Sequence, residues 1–271
     1  MVGTDAGPEA QMYATERHAR IMEELDAAGR VSVAGLSRVL DVTGETIRRD
    51  LDALEAAGVL RRVHGGAVRR GSAVELGLPE RQQRNSAAKR AIARAALALI
   101  PTTVPASIAL DAGSTTAELA ELLAGWRPRS GDGVLDVLTH AIPLIGVLQA
   151  NSALAVHAIG GLVRPTTSAA VGAVTIDGFA RVRPDLAFVG ANGLSAGFGL
   201  STPDEREAAV KAAIVRSARR TIALVDASKH GDESLIRFAE LADIDTLVTD
   251  AAPAPELAAA LAAAEVQVVV A

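Results

Sequence analysis

Arg61, Arg62, His64, Arg69 and Arg70 surround a Gly65-Gly66 pair inside a window, residues 56–74, that contains no aspartate or glutamate. Clustered guanidinium groups neutralise phosphates, so this window is a candidate contact for a polyanion backbone. The chain as a whole is acidic, with 27 Lys and Arg against 32 Asp and Glu and a formal net charge of −5. A local positive patch on such a chain says more about partners than the average does. A second reactive stretch is DAGSTT, Asp111 to Thr116. Gly113 admits close backbone approach there, and Ser114, Thr115 and Thr116 open a helix behind the acid. Backbone N–H groups at a helix start, joined by hydroxyls, make an anion site that suits phosphate. No lysine follows as it does in nucleoside-triphosphate loops, so one sugar phosphate fits better than a nucleotide.

Composition narrows the choices. At 271 residues with 49% hydrophobic content, the chain can bury a sizeable core, and an aromatic content of only 2% leaves Ala, Leu and Val to fill it. No cysteine is present, which excludes thiolate metal sites, thiol catalysis and disulfides. The histidines lack metal-ligand spacing; no metal and no cofactor are expected. Residues 1–15 contain no apolar run and no later stretch has the length of a membrane span, so a cytoplasmic location and no membrane partner are expected. Residues 1–14 read as a loose tail.

The elements that must carry the arginines come next. Ile21, Met22 and Leu25 mark a first helix that ends at Gly29. Ser32 is placed to cap a short second helix through Leu36, Val39 and Leu40, and a turn over residues 41–44 follows. Thr43 caps a third helix, in which Ile47, Leu51 and Leu54 share a buried face and Glu45 and Arg49 point away from it, flanked by Thr46 and Arg48. This is a helix-turn-helix pattern whose last helix can reach a major groove. Residues 59–63 and 67–70 read as two strands of a hairpin, a wing, with the glycines at its bend. Arg49 is the candidate for a base edge; Arg48 and the wing arginines are candidates for phosphates. The candidate DNA contacts are therefore Thr43, Glu45, Thr46, Arg48, Arg49, Arg61, Arg62, His64, Gly65 and Arg69, in a small α+β winged helix-turn-helix domain over residues 15–70.

Residues 71–87 mix Gly, Ser, Pro and charge and read as a linker. Behind them, over residues 88–271, apolar runs at 108–110, 134–138, 154–159, 186–189, 221–225, 246–248 and 266–270 alternate with helical stretches, which predicts a larger α/β domain built on a mainly parallel sheet. Gly160-Gly161 and Asn192 follow predicted strand ends, where open α/β sheets bind ligands, and Lys229 lies just past another. Glu207 and Lys211, four apart on one helix, are expected to form a solvated ion pair.

The stretch TIRRDLDALEAAGVLRRVHGGA from Thr46 resembles the signature of the DeoR family of bacterial transcriptional regulators. LDAGSTTAELAELL from Leu110, AIGGLV from Ala158, DLAFVGANGL from Asp185 and DASKHG from Asp226 follow in the family's order. The resemblance covers nearly the whole chain. It implies a sugar-phosphate-sensing second domain that resembles the ribose-phosphate isomerase type of fold, with Asp111, Gly113, Ser114, Thr115, Thr116, His140, Gly160, Gly161, Asn192, Glu207, Lys211 and Lys229 as candidate effector contacts. Many relatives have Thr-Asn where this chain has Thr139-His140, an imidazole that donates and accepts differently from an amide and could titrate near neutrality, with a change in sugar selectivity; the alternative is a structural histidine, the more frequent role of a lone His at a strand end. GLSTPDE from Gly199 is similar to a stretch of fructose-uptake regulators, which implies fructose 1-phosphate or a near relative.

The leading expectation is a non-enzymatic regulator, a repressor of sugar uptake or catabolism genes. It binds double-stranded operator DNA as a homodimer or homotetramer, because one winged helix covers only a half-site, and it answers to a phosphorylated sugar. The alternative is an aldose-ketose phosphate isomerase fused to a DNA-binding domain, with Asp111, Asp226 or Glu207 as its base.

Overall fold

The computed structural model describes residues 13–28, 30–63, 65–69, 77–129 and 133–271. The chain divides into two compact units, Met1–Val74 and Glu75–Ala271. The expected tail over 1–14 and His64 lie almost wholly or wholly outside the described residues.

The first unit runs α1 (Ala14–Ala28), β1 (Arg30–Ser32), α2 (Val33–Leu40), α3 (Gly44–Ala56), β2 (Leu60–Val63) and β3 (Gly66–Arg69). Ile21 and Leu25 of α1, Leu36 and Leu40 of α2, and Ile47, Leu51 and Leu54 of α3 close one core with Leu60 and Ala67. Ser32 caps α2 by accepting from the Gly35 N–H, and Thr43 caps α3 by accepting from that of Thr46. The expected wing is a three-stranded antiparallel sheet, β1-β3-β2, because Arg30 to Ser32 pair with Val68 to Gly66. Gly65 turns the hairpin at φ +74°, and its carbonyl accepts from the Val33 N–H at 2.7 Å. Gly66 is required by crowding, since a Cβ there would stand 1.9 Å from the carbonyl oxygen of Val31.

The second unit continues with α4 (Leu78–Gln83), α5 (Ser86–Leu97), β4 (Ala106–Leu110), α6 (Ser114–Leu123), β5 (Leu135–Thr139), α7 (Ile142–Leu148), β6 (Leu154–Ala158), β7 (Leu162–Arg164), β8 (Ala169–Val171), α8 (Ala173–Ala180), β9 (Leu186–Gly190), β10 (Gly193–Ser195), β11 (Gly199–Thr202), α9 (Glu205–Ser217), β12 (Arg220–Leu224), β13 (Ile236–Ala239), β14 (Thr246–Thr249), α10 (Pro255–Ala263) and β15 (Gln267–Val270). The seven apolar runs of the sequence become, among the described residues, one parallel sheet in the order β15-β14-β12-β9-β4-β5-β6. Alternate side chains serve two cores. Ile108, Leu110, Leu135, Val137, Phe188 and Ile222 meet α5, α6 and α7 on one face, while Ala109, Leu138, Ala187, Val189 and Ala223 meet α8, α9 and α10 on the other.

Connections therefore change face between β4 and β9, neighbours in the sheet that are far apart in sequence. Such a switch point leaves a crevice outside the carboxyl ends of the strands.

The stretch expected as a linker is partly folded. Leu78 is buried and its N–H donates to the carbonyl of Thr166 at 3.0 Å. The Lys89 ammonium of α5 donates to the carbonyls of Arg81 and Arg84, where α4 ends. A short polar helix held from outside by one lysine shows no periodicity of its own, which is why composition alone reads it as loop.

Candidate functional site

In the first unit, α3 carries the candidate reading residues. Arg49 is 80% exposed; Arg48 and Glu45 are exposed beside it, with Glu45 accepting from Arg48 at 3.3 Å and lying 3.6 Å from Arg49. The Thr43 and Thr46 hydroxyls bond each other at 2.9 Å, so both organise the helix start. Asp50, on the buried side of the same helix, accepts from Arg17 Nε at 2.7 Å and Nη2 at 2.9 Å, and contacts His18 Nε2 at 3.1 Å. Burial alone raises the Asp50 carboxyl, but the bonds and charge of Arg17, with His18, outweigh it and hold it below the usual range. This clamp fixes α3 on α1, and sequence reasoning missed it because its members lie more than thirty residues apart.

Arg62 was expected as a phosphate clamp. In the structure its Nη1 donates to the Arg48 carbonyl at 2.9 Å and to Asp52 at 2.8 Å, while the Arg62 N–H donates to Glu55 at 2.7 Å. It ties β2 to α3, so its first role is to set the wing against the helix. Arg61 and Arg69 sit on β2 and β3; their side chains lie outside the described residues.

In the second unit, the candidate residues collect at the carboxyl edge of the sheet. Asp111 follows β4 and is 0% exposed. Its Oδ1 accepts from the Gly113 N–H at 3.0 Å and the Thr116 hydroxyl at 2.7 Å; its Oδ2 accepts from the Gly190 N–H at 2.8 Å and from the Lys211 ammonium. The carboxylate thus joins β4 to β9 across the switch point. Burial alone raises its pKa, yet the Lys211 charge and these bonds keep it below the ordinary carboxylate range. Lys211 also donates to the Gly190 carbonyl at 2.9 Å and lies 5.4 Å from the centre of the Phe238 ring.

The expected solvated Glu207–Lys211 pair is not what forms. Both residues are buried. Glu207 accepts from Arg164 Nη1 at 3.0 Å and from the Thr167 hydroxyl, while Lys211 turns to Asp111. The four-residue spacing gives neighbours on a helix, but their opposed partners come from β4 and the β7–β8 hairpin. Arg164 also reaches Asp204, the cap of α9, at 3.2 Å. Arg164 and Thr167 carried no motif that marked them.

His140 is buried too. It is 2% exposed, directly after β5. Burial pushes its imidazole below the ordinary value, against a hydrogen bond to Ala170 and the nearby carboxylates, which favours the uncharged ring over titration near neutrality. Its Nδ1 lies 2.7 Å from the carbonyl of Ala170; a carbonyl only accepts, so Nδ1 carries the proton.

Gly160 and Gly161 follow β6, with the Gly160 carbonyl accepting from Thr175 at 2.9 Å. Asn192 follows β9 and accepts from the Thr202 hydroxyl at 3.1 Å. Ser114 and Thr115 begin α6, and Thr116 is spent on Asp111 and the Gly113 backbone. Lys229 ends a short 3-10 turn behind β12, capped by Asp226.

Asp226 also accepts from Asn85 at 3.0 Å, which brings the start of α5 to this edge. Lys89, one turn into α5, is pushed down to about 8 by burial and by the charges of Lys229, Arg81 and Arg84, with Asp226 acting against them. The Arg81 Nε and Nη2 are buried with no hydrogen-bond partner among the described residues. Asn85 and Asp226 are 141 residues apart, so no local signal announces this cationic corner. Among the described residues no group of His, Cys, Asp and Glu is placed to hold a metal ion, and no helix is long and apolar enough to cross a membrane.

Known proteins agree with this division. Residues 17–72 match the DeoR-like helix-turn-helix domain and residues 84–251 the DeoR C terminal sensor domain. The HTH-type transcriptional regulator GlpR of Haloferax volcanii is 36% identical, covering 88% of this chain and 91% of its own. The HTH-type transcriptional regulator FruR of Bacillus subtilis is 32% identical over 89% and 92% of the two chains, and the glycerol-3-phosphate regulon repressor of Haemophilus influenzae 31% over 88% and 89%. Among solved structures, a D-ribose-5-phosphate isomerase in complex with phospho-erythronic acid aligns over 53% of each chain at 20% identity and a TM-score of 0.39. With a helix-turn-helix domain in its first unit and a sensor domain in its second, the chain belongs to the DeoR family of DNA-binding transcriptional regulators.

Proposed function

We propose that this protein represses genes of sugar uptake or catabolism, and that a phosphorylated sugar bound at the carboxyl edge of the seven-stranded sheet relieves or modulates the repression. The observation that carries the reading is the pair of buried, unmatched guanidinium nitrogens of Arg81 within a cluster of cations at that edge. The charges of Lys229, Arg81 and Arg84 act on Lys89 beside the carboxylate of Asp226, and two guanidinium nitrogens of Arg81 are buried with no acceptor among the described residues. Together with the start of α6, this corner calls for a phosphate. Asn192, Glu207, Lys211 and His140 border the crevice on the side of the sugar hydroxyls. The glycerol-3-phosphate regulon repressor among the relatives supports both the sign of regulation and the phosphorylated ligand.

Nothing favours the isomerase alternative. A base must be free to take a proton from a sugar carbon, whereas Asp111, Glu207 and Asp226 each accept two or more hydrogen bonds from protein donors.

On the DNA side, Arg49 reads a base edge and Arg48, Arg61 and Arg69 contact phosphates, in a homodimer or homotetramer that spans two half-sites. Ligand can change operator affinity only by binding the DNA-free arrangement more tightly than the DNA-bound one. The test is fluorescence anisotropy of the full chain on its own promoter region and on random duplex, with and without fructose 1-phosphate, glycerol 3-phosphate or glucose 6-phosphate. The promoter is preferred and one sugar phosphate shifts the affinity; equal binding to both duplexes under all these conditions refutes the proposal.

A further inference from the structure

Like the two guanidinium nitrogens of Arg81, one ring nitrogen of His140 is a buried polar group of the carboxyl edge left without a partner among the described residues. Asp111, Thr116, Glu207 and Lys211 are engaged with one another, with neighbouring side chains or with the backbone. The Nε2 of His140 is buried with no hydrogen-bond partner among the described residues. An unmatched buried acceptor is costly, and native structures keep few of them. The ring cannot turn away to hide it. Nδ1 is tied to the carbonyl of Ala170 on β8 at 2.7 Å, and the ring meets Phe179 edge-on, with centroids 5.9 Å apart and planes at 83°. With the proton fixed on Nδ1, Nε2 offers a lone pair and nothing else. The residue directly follows β5, the strand next to β4, and the charges of Asp111, Lys211 and Glu207 all act on its ring. The unmatched lone pair therefore belongs to the neighbourhood in which the sugar end of the ligand was placed above.

We propose that His140 is a specificity-determining acceptor: its Nε2 takes a hydrogen bond from a hydroxyl of the bound sugar phosphate, so that a ligand must present an O–H, and not a carbonyl oxygen or a methylene, at that point. The inference rests on the reading of this edge as a sugar-phosphate site. A carbonyl oxygen there sets two lone pairs against each other, and a deoxy position leaves the acceptor unmatched; sites of this kind discriminate far more sharply than an apolar pocket does.

The test uses full-length protein and titration calorimetry with fructose 1-phosphate, glucose 6-phosphate, ribose 5-phosphate and inorganic phosphate. His140→Gln keeps an acceptor at similar reach and stays within a few-fold of wild type for the sugar phosphate that wild type binds best. His140→Leu binds that compound about ten- to a hundredfold more weakly, with inorganic phosphate unaffected in both variants. Equal affinity of the leucine variant for the sugar phosphate overturns the inference while leaving the proposed function standing. Should the leucine variant not fold, the nitrogen resonances of histidine-labelled wild type decide. Nε2 of His140 appears as an unprotonated nitrogen and moves towards the hydrogen-bonded position on saturation with the same ligand, and a resonance that ignores the ligand refutes the idea. A wild-type protein that binds none of these sugar phosphates overturns the proposed function and this inference together.

Discussion

Replacing Lys211 by methionine isolates the interaction that spans the switch point. The substitution keeps the aliphatic stem and removes the charge, so little cavity is created. Asp111 then retains the Gly113 N–H, the Thr116 hydroxyl and the Gly190 N–H, but it is a fully buried carboxylate without a counter-ion. Breaking a buried ion pair from one side costs about 3–5 kcal/mol. For a unit of this size that corresponds to a midpoint lowered by roughly 6–20 °C. The assay is direct, because the single tryptophan of the chain, Trp126, is buried in the core of the second unit, and its emission in a urea titration reports that unit alone. The pH dependence has a definite sign. In wild type the Asp111 carboxyl lies below its unfolded value of about 3.9, so its contribution is complete above that value and is lost as the pH falls through the folded one. In the variant, burial without the ammonium pushes the carboxyl up, and protonation relieves the unpaired charge. The gap between variant and wild type is therefore widest near pH 7 and narrows towards pH 4. A variant within about 1 kcal/mol of wild type at pH 7, well short of the 3–5 kcal/mol expected, or a gap indifferent to pH, would refute the reasoning. Asp111→Asn combined with Lys211→Met recovers part of the loss, since the buried charge is gone.

In the first unit, Asp50→Ala removes the acceptor that holds Arg17 and His18 and lowers stability by about 3 kcal/mol, visible as lost operator binding with the Trp126 transition unmoved. Because the Asp50 carboxyl is held low, this unit of the wild type also loses stability as the pH falls below about 4, which circular dichroism of the isolated winged-helix segment can follow. Gly66→Ala drives a methyl into the Val31 carbonyl, displaces β1 from β3, and weakens binding to every duplex. Arg49→Ala costs about 1–3 kcal/mol on the operator and relaxes its sequence preference, whereas Arg61→Ala weakens binding to all sequences and reduces the salt slope by about one; unchanged discrimination by the Arg49 variant removes it from the reading surface.

Local chemistry determined what the sequence could reveal by itself. Caps, helical periodicity and turn glycines act over a few residues, so Ser32, Thr43, the face of Ile47, Leu51 and Leu54, and the hairpin at Gly65 were legible, as were the seven apolar runs that become the parallel sheet. Their order in that sheet was not legible, and neither was the third strand of the wing, because three residues of Arg30 to Ser32 gain strand character only by pairing with β3. The tertiary structure alone decided which charges meet. Glu207 and Lys211 are neighbours by spacing yet separate onto Arg164 and Asp111, and Arg62 folds back on Asp52. It also decided that burial favours an uncharged His140 and that Lys89 stands in the same corner as Lys229 and Asp226. The physical reason is the range of the forces: propensity and capping are read along the chain, whereas burial and electrostatic pairing depend on groups that only the fold brings within a few ångströms of each other.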